Sequence, residues 1–328
     1  MAISWRDRVF GFGGLGGLKW FAGIFRSPAG GPEDLTPEQV AAPGSQAADI
    51  LGERVAFIDE GSGDPPLLFI HGFGESTRTW DLVRPAFAQR HRTVALDLWG
   101  FGASARPAGM KPVRWVRQVE GLLDHLGLGE AVLVGHSLGG CVSLMCASEM
   151  PDRVRGLVLV DSDWGQAGFG YTTVRLISYS NLLPLALSRL RGGLEPIRSL
   201  VTQIAGPKLE VSDEQIATFR DYFRVRGTCR TWQSLGRSQH WRDVHRLPAT
   251  VQCPALVVWG TDDFIIPLGC GEKLAQALPD ATLVTVPGSG HFPHEDDPQA
   301  VIRPVEAFLD RLQPAPQEPT DGHDTGAD

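Results

Sequence analysis

Short apolar runs that predict buried strands alternate along this chain with runs that have helical periodicity. The apolar runs are short and rich in β-branched residues or Leu, as is typical of strands buried on both faces of a sheet. Their alternation with helices favours a mainly parallel sheet covered by helices on both sides. The strands are predicted at 54–59, 67–70, 93–98, 131–135, 156–161, 255–259 and 282–286, and the helices at 112–126, 138–150, 268–277 and 298–312.

The interval 162–254 breaks this alternation and is too long for an ordinary crossover between strands. Helix-like stretches at 171–190, 194–204 and 212–226 indicate a helical cap inserted into the sheet domain. We therefore expect a core in two parts, 53–161 and 255–312, with the cap at 162–254. Residues 1–52 are interpreted as a leader and linker with at most a short helix near 37–42, and the Pro-rich acidic tail 313–328 as disordered.

The chain contains a single Gly-x-Ser-x-Gly motif, with Ser137 at its centre. A predicted strand leads into the motif and a predicted helix follows it. Strand, tight turn and helix together lift a serine hydroxyl above the sheet edge, and Gly135 and Gly139 permit the close packing that this turn requires. The positive end of the helix dipole also lies at this serine. The motif therefore predicts Ser137 as a nucleophile.

A serine hydroxyl attacks a carbonyl only when a base lies within hydrogen-bonding distance. The loop after the last predicted strand offers His291 and His294, and the flexible mount provided by Gly290 favours His291. His294 is the alternative.

A carboxylate must hold the histidine in the correct tautomer. Asp262 and Asp263 follow the strand predicted at 255–259, at the edge of a parallel sheet where active sites lie. One of the two is expected to orient the histidine, and Asp161, at another strand end, is the third alternative.

Hydrolysis through a tetrahedral intermediate also needs two N–H donors for the oxyanion. Leu138, at the start of the helix after the nucleophile, supplies one. Phe73 supplies the other, in a His71-Gly72-Phe73-Gly74 loop after the strand at 67–70. We expect His71, Gly72 and His136 to support these groups.

These motifs resemble those of the α/β-hydrolase fold superfamily, in the branch with a helical cap and the chain order Ser, Asp, His. The resemblance rests on residues 71–74, 97–104, 135–140, 260–267 and 290–291 and extends over about 53–312. It implies an eight-stranded, mainly parallel sheet with Phe73 and Leu138 as the oxyanion donors. It also selects Asp263 over Asp262, because the family's acid comes three residues after the strand-end glycine and four before a proline.

The resemblance implies a serine hydrolase, and we expect it to cleave carboxylic esters with an apolar acyl or aryl group. Similar dehalogenases and epoxide hydrolases use an aspartate where this chain has Ser137. Two alternatives remain: a carbon–carbon bond hydrolase of ring-fission products, with cap arginines at the substrate carboxylate, and a non-catalytic binding module on the same fold. The arginines in question are Arg175, Arg189, Arg191 and Arg198.

Composition argues against several other classes of partner and cofactor. The formal net charge is −8 and no long basic run is present, so we expect no nucleic-acid binding. The five cysteines are scattered and form no Cys-x-x-Cys pair, so we expect neither a metal nor a disulfide framework, and no cofactor. The sequence does not fix the oligomeric state.

The leader contains an apolar, Gly-rich stretch at 9–25 that Lys19 interrupts. It is too short and too interrupted to span a bilayer, which requires about 20 apolar residues. Packing on the domain or on a partner chain is one interpretation, and peripheral contact with a membrane surface is the other. We expect a cytoplasmic protein, with this membrane contact as the open alternative.

Overall fold

An eight-stranded sheet organises the computed structural model, which describes residues 34–165, 198, 202, 211–236 and 243–312. The strand order is β1-β2-β4-β3-β5-β6-β7-β8; β1 and β2 pair antiparallel, as do β2 and β4, and every other neighbouring pair is parallel. The predicted mainly parallel, eight-stranded sheet is thus confirmed. The strands are β1 Gln46–Ile50, β2 Glu53–Glu60, β3 Leu67–Ile70, β4 Thr93–Leu96, β5 Ala131–His136, β6 Val154–Val160, β7 Ala255–Gly260 and β8 Ala281–Val286.

Helices cover both faces of the sheet, as alternate strand residues show. In β3, Leu68 and Ile70 belong to one apolar cluster, and Leu67 and Phe69 belong to the cluster on the opposite face. The first cluster includes residues of α2, α3 and α6, and the second includes residues of α1 and α8. The helices are α1 Arg84–Phe87, α2 Val113–His125, α3 Leu138–Glu149, α4 Asp213–Arg224, α5 Thr228–Gly236, α6 Leu268–Ala277, α7 Pro293–Asp296 and α8 Pro298–Leu312.

Strand β1 lies within residues 1–52, which the sequence analysis interpreted as a leader and linker. That interpretation is wrong for the residues of this strand. Its five residues pair with β2 through a tight turn at Leu51 and Gly52, both at positive φ. Only Ala48 and Ile50 of β1 are buried, because the strand forms one edge of the sheet. The short helix expected near 37–42 is present as a 3-10 turn at Pro37–Val40.

Two described helices, α4 and α5, lie between β6 and β7. Ser212 caps α4 in a capping box with Gln215. The N-terminal segment pairs with the end of α4: Leu35 forms a β-bridge with Val225, and Arg224 contacts Asp34 at 2.6 Å. Apart from residues 198 and 202, the helices predicted at 171–190 and 194–204 lie outside the described residues, as do the leader stretch and the tail.

No helix within the described ranges is long and apolar enough to cross a bilayer.

Candidate active site

Ser137 occupies a strained turn between β5 and α3. Its φ of 50° and ψ of −114° lie in a region that side chains other than glycine rarely adopt. The two motif glycines make the turn possible. A Cβ on Gly139 would lie 2.0 Å from the carbonyl oxygen of Ile70, and one on Gly135 would lie 2.5 Å from that of Gly139. The sequence therefore folds into a turn that leaves the Ser137 side chain at the carboxyl edge of the sheet, partly exposed.

His291 joins Ser137 to Asp263 by two hydrogen bonds. Its Nε2 lies 3.1 Å from Ser137 Oγ, and its Nδ1 lies 2.7 Å from Asp263 Oδ2. The other oxygen of Asp263 accepts the backbone N–H groups of Ile265 and Ile266 at 2.7 and 2.9 Å. Because Nδ1 donates to the carboxylate, Nε2 is left with a lone pair directed at the serine hydroxyl. This arrangement can take a proton from Ser137.

The structure separates these residues from their alternatives. Asp262 is exposed, whereas Asp263 is buried against His291. His294 is also buried, but its Nε2 bonds to Thr79 Oγ1 at 2.8 Å. Ser137, His291 and Asp263 are therefore the predicted residues that come together.

Asp161, the third alternative for the acid, lies at the end of β6 beside Asp263. It adopts a φ of 41° and accepts the N–H of Gly260 at 3.1 Å. Burial and the neighbouring charge of Asp263 raise the pKa of this carboxyl well above its usual value. The sequence analysis placed Asp161 at the correct edge of the sheet but treated it as an alternative to Asp263. It did not predict that both carboxyl groups would lie together at the site.

Asp296, which the sequence analysis did not identify, holds the loop that carries His291. One oxygen of its carboxylate accepts Ser289 Oγ at 2.6 Å and the N–H of Gly290 at 2.8 Å. These bonds close the loop onto the last residue of α7 and fix the main chain on the N-terminal side of the histidine.

The loop after β3 fixes the direction of the Phe73 amide. The Gly72 carbonyl accepts the Nδ1–H of His71 at 2.7 Å, while His71 Nε2 accepts the N–H of Leu98 at 3.0 Å. Burial lowers the pKa of His71, consistent with this neutral tautomer. Since a trans peptide directs its C=O and N–H to opposite sides, the Phe73 N–H points away from His71. Leu138, as the first residue of α3, has an N–H without a partner within the helix.

His136 lies behind His291, fully buried. Its Nε2 donates to the backbone carbonyl of His291 at 2.7 Å, and its Nδ1 lies 3.1 Å from the carboxylate of Glu75. The sequence analysis did not identify Glu75 as a residue of the site. The available signal was an acidic residue in a Gly-rich loop, two positions beyond Phe73.

Two groups of side chains in the described ranges combine residue types that bind metals. Glu75 with His136 and His294, and Asp161 with Asp263 and His291, each bring ligand atoms within 4.8 Å of one another. The spacings of 2.7 Å in the Asp263–His291 pair and 3.1 Å in the Glu75–His136 pair are those of hydrogen bonds. Each group therefore contains a hydrogen-bonded pair of a carboxylate and an imidazole.

Aromatic side chains surround Phe73 on the side of α4 and α5. The Trp232 ring lies 4.3 Å from the Phe73 ring and 5.2 Å from that of Phe223, centroid to centroid. Phe219, partly exposed on α4, comes within 3.6 Å of the position that a Cβ on Gly74 would occupy. This aromatic wall, formed by Phe73, Phe219, Phe223 and Trp232, makes the neighbourhood of the loop at residues 71–74 apolar. Of the remaining aromatic residues between 162 and 254, those at 169, 171, 179 and 241 lie outside the described residues.

A family model described as alpha/beta hydrolase fold matches residues 65–298, which include every site residue described above. The chain belongs to the α/β-hydrolase family. The resemblance seen in the motifs is thereby confirmed.

Several known proteins are similar to this chain in sequence or in structure. The 2-hydroxymuconate semialdehyde hydrolase of Pseudomonas putida is 32% identical over 274 residues, covering 79% of this chain and 91% of that protein. An uncharacterized protein of Mycobacterium tuberculosis is 31% identical over 292 residues, covering 84% of each chain. The structure of a thermophilic esterase from Thermogutta terrifontis, malate bound, matches with a TM-score of 0.69 at 24% identity, covering 82% of this chain and 99% of that one. This last likeness concerns the fold alone.

Proposed function

We propose that this α/β hydrolase cleaves carboxylic esters through an acyl-enzyme, with Ser137 as nucleophile, His291 as base and Asp263 as the acid that orients the base. The observation that supports this proposal most strongly is the unbroken chain of hydrogen bonds from Ser137 Oγ through His291 to Asp263, at 3.1 and 2.7 Å. These three groups and their spacing meet the requirements for activating a serine hydroxyl.

The reaction proceeds in two halves. His291 Nε2 takes the proton of Ser137 as Oγ attacks the ester carbonyl, and the amides of Phe73 and Leu138 stabilise the oxyanion that forms. The imidazolium then protonates the leaving alcohol, which departs and leaves the acyl group on Ser137. Water, deprotonated by His291, attacks the acyl-enzyme in the same way, and collapse of the second oxyanion releases the acid and restores Ser137.

The aromatic wall supports an apolar acyl or aryl substrate. It flanks residues 71–74, here called the oxyanion loop because Phe73 is one of the proposed oxyanion donors. A carbonyl bound there would have its substituent near Phe219 and Trp232. Aromatic side chains of this kind form apolar binding sites for small molecules.

Carbon–carbon bond hydrolysis is the second candidate function. It is favoured by the 32% identity with the 2-hydroxymuconate semialdehyde hydrolase of P. putida. Of the four arginines that could meet a substrate carboxylate, Arg198 is the described one, and it forms an ion pair with Asp213. We rank ester hydrolysis first on the apolar character of the described wall. A non-catalytic module is the remaining alternative.

Initial rates on nitrophenyl esters from acetate to palmitate test the proposal, with Ser137→Ala as control. Turnover that disappears in the variant supports a serine esterase, and the preferred chain length measures the acyl site. If wild-type protein is inactive on the whole series, ester hydrolysis fails. A serine-directed fluorophosphonate then separates the remaining candidates, since a non-catalytic module would not be labelled at Ser137.

A further inference from the structure

The Glu75 carboxylate contacts two parts of the site that are distant in sequence. Oε2 accepts the N–H of Gly72 at 3.0 Å and lies 3.1 Å from His136 Nδ1. Both contacts are largely shielded from bulk water: the side chain of Glu75 is 11% exposed and that of His136 is 0% exposed. One carboxylate therefore joins the oxyanion loop to the strand end that carries the nucleophile.

On the side of the oxyanion loop, Glu75 holds the peptide planes that orient Phe73. Its carboxylate fixes the N–H of Gly72, and its own backbone N–H donates to the Gly72 carbonyl at 3.4 Å. The Gly72 carbonyl belongs to the same peptide group as the Phe73 N–H, so holding one aims the other. The space is also closed: a Cβ on Gly72 would lie 2.3 Å from Glu75 Oε1.

On the side of the base, Glu75 acts through His136. The second nitrogen of His136 donates to the carbonyl of His291 at 2.7 Å, and the two imidazole rings lie 4.8 Å apart. A proton on His136 Nδ1 lets the ring donate to Glu75 and to His291 at the same time. His136 contacts His291 at its backbone carbonyl. The Glu75–His136 pair therefore holds the main chain of His291 and leaves its imidazole ring free to hydrogen-bond to Ser137.

The charges of the pair are consistent with this geometry. The charge of Glu75 raises the pKa of His136 in spite of its burial, and His136 in turn lowers the pKa of Glu75. Both shifts favour a buried ion pair with no net charge, which would leave no uncompensated carboxylate or imidazolium behind the base. Removing one partner of such a pair leaves the other buried and alone, which is costly.

We propose that Glu75 is a positioning residue that, through Gly72 and through His136, holds the oxyanion loop and His291 in register with Ser137. This inference rests on the proposed function, because it takes Ser137, His291 and the Phe73 amide as the reacting groups. Glu75 touches none of the reacting atoms and acts only through its neighbours.

The rate at which a fluorophosphonate labels Ser137 tests the proposal, because labelling needs an activated serine and an oxyanion site but no knowledge of the natural substrate. Glu75→Ala removes both contacts, and we expect labelling to slow by about 10- to 100-fold, the effect of misplacing reacting groups by a fraction of an ångström to an ångström. Glu75→Gln keeps an oxygen for Gly72 and offers an N–H to His136, so it should restore most of the rate. On an ester substrate the loss in Glu75→Ala should fall on kcat, with KM little changed.

Asp59→Ala is the matched control. It breaks another partly buried ion pair, between Asp59 and Arg92 at 2.8 Å, next to the amino end of β4 and away from the site. Wild-type labelling rates in Glu75→Ala, or an equal loss in Asp59→Ala, would overturn the positioning role. If Glu75→Ala does not fold, Glu75→Gln and Glu75→Asp are compared: the shorter Asp side chain cannot span both contacts, so equal rates in the two would overturn it as well. Failure of wild-type protein to label would instead overturn the proposed function.

Discussion

The carboxyl groups of Asp161 and Asp263 lie side by side, with an oxygen of each within 4.8 Å of the other, at the ends of the neighbouring parallel strands β6 and β7. Two buried carboxylates in contact cannot both ionise readily, because like charges repel strongly where water is excluded. Burial and the neighbouring charge of Asp263 raise the pKa of Asp161 well above its usual value, which favours the protonated form of this carboxyl. Asp263 is the member of the pair that faces His291, at 2.7 Å.

Substitution by asparagine should therefore affect these two residues very differently. Asp161→Asn keeps an N–H donor for Asp263 and an oxygen for the N–H of Gly260, so it should retain most of the proposed esterase activity. Asp263→Asn removes the negative charge beside His291 Nδ1 and should lower kcat by about 10⁴-fold, as in serine proteases. Comparable losses of kcat in the two variants, with both folded by circular dichroism, would mean that Asp161 acts as an ionised acid.

Glu295 should make stability depend on pH. Burial raises the pKa of its carboxyl to about 7 from a usual value of 4.5. The folded protein therefore holds this proton more tightly than the unfolded chain, and the resulting stabilisation is lost as pH rises from about 4.5 to 7. Glu295→Gln removes this titration, so between pH 5 and 8 the variant should gain up to about 3 kcal/mol relative to wild type. Urea unfolding at the two pH values measures the gain.

The control for this experiment is Glu149→Gln, at the exposed end of α3. Its unfolding free energy should change with pH as that of the wild type does. An unchanged pH dependence in Glu295→Gln would show that Glu295 does not hold a proton in the folded protein.

Gly139→Ala should damage both stability and activity. The new methyl group would meet the Ile70 carbonyl, which belongs to β3 and cannot move as a flexible side chain could. We expect a loss of about 1–3 kcal/mol in unfolding free energy and a lower kcat, since the turn that presents Ser137 must shift. Gly129→Ala is the comparison, because a Cβ there meets nothing within 4 Å; its unfolding free energy should stay within about 0.5 kcal/mol of the wild type. Equal effects would contradict the packing argument.

Phe219→Ala tests whether the aromatic wall binds the acyl group. The side chain is partly exposed beside Gly74, so its loss should not unfold the core. We expect kcat/KM to be unchanged for the acetyl ester and to fall about tenfold for the longest acyl chain that the wild type accepts. Leu82→Ala removes an exposed apolar side chain elsewhere and should leave both values as they were. A uniform loss across chain lengths would place the acyl group away from Phe219.

The leader prediction can be tested without reference to catalysis. If residues 9–25 lie at a membrane surface, removal of residues 1–33 should abolish co-sedimentation with anionic phospholipid vesicles and leave turnover of short esters unchanged. Equal sedimentation of full-length and shortened protein would assign the leader to packing on the domain or on a partner chain.

The sequence predicted the buried strands well because their signal is local. Strand β3 matches its predicted bounds, and β7 extends one residue beyond them, since each is a continuous apolar run that ends at a turn. Strand β1 was missed because an edge strand buries few side chains and its Gln, Ala and Asp residues give no apolar run. Helix α5 was missed because the helical pattern in the interval 162–254 was assigned to 171–190, 194–204 and 212–226.

The candidate site was predictable only as far as motifs extend. Ser137 and His291 stand in glycine-marked turns that a single sequence reveals. The choice between Asp262 and Asp263 came from the family spacing, because adjacent carboxylates at a strand end look alike until one of them is buried. The sequence could not assign a role to Glu75, because that role depends on contacts between residues far apart in the chain. Glu75 contacts His136, 61 positions away, and His136 in turn contacts the carbonyl of His291, a further 155 positions away.

The β-bridge between Leu35 and Val225 determines where this protein can be shortened. A truncation after residue 52, the boundary that the sequence suggests, would remove an edge strand and expose the hydrogen-bonding groups of β2. It would also free the end of α4, whose Phe219 borders the oxyanion loop. Cleavage before Asp34 retains all of these contacts, so proteolysis at that point should yield a stable fragment that still turns over ester.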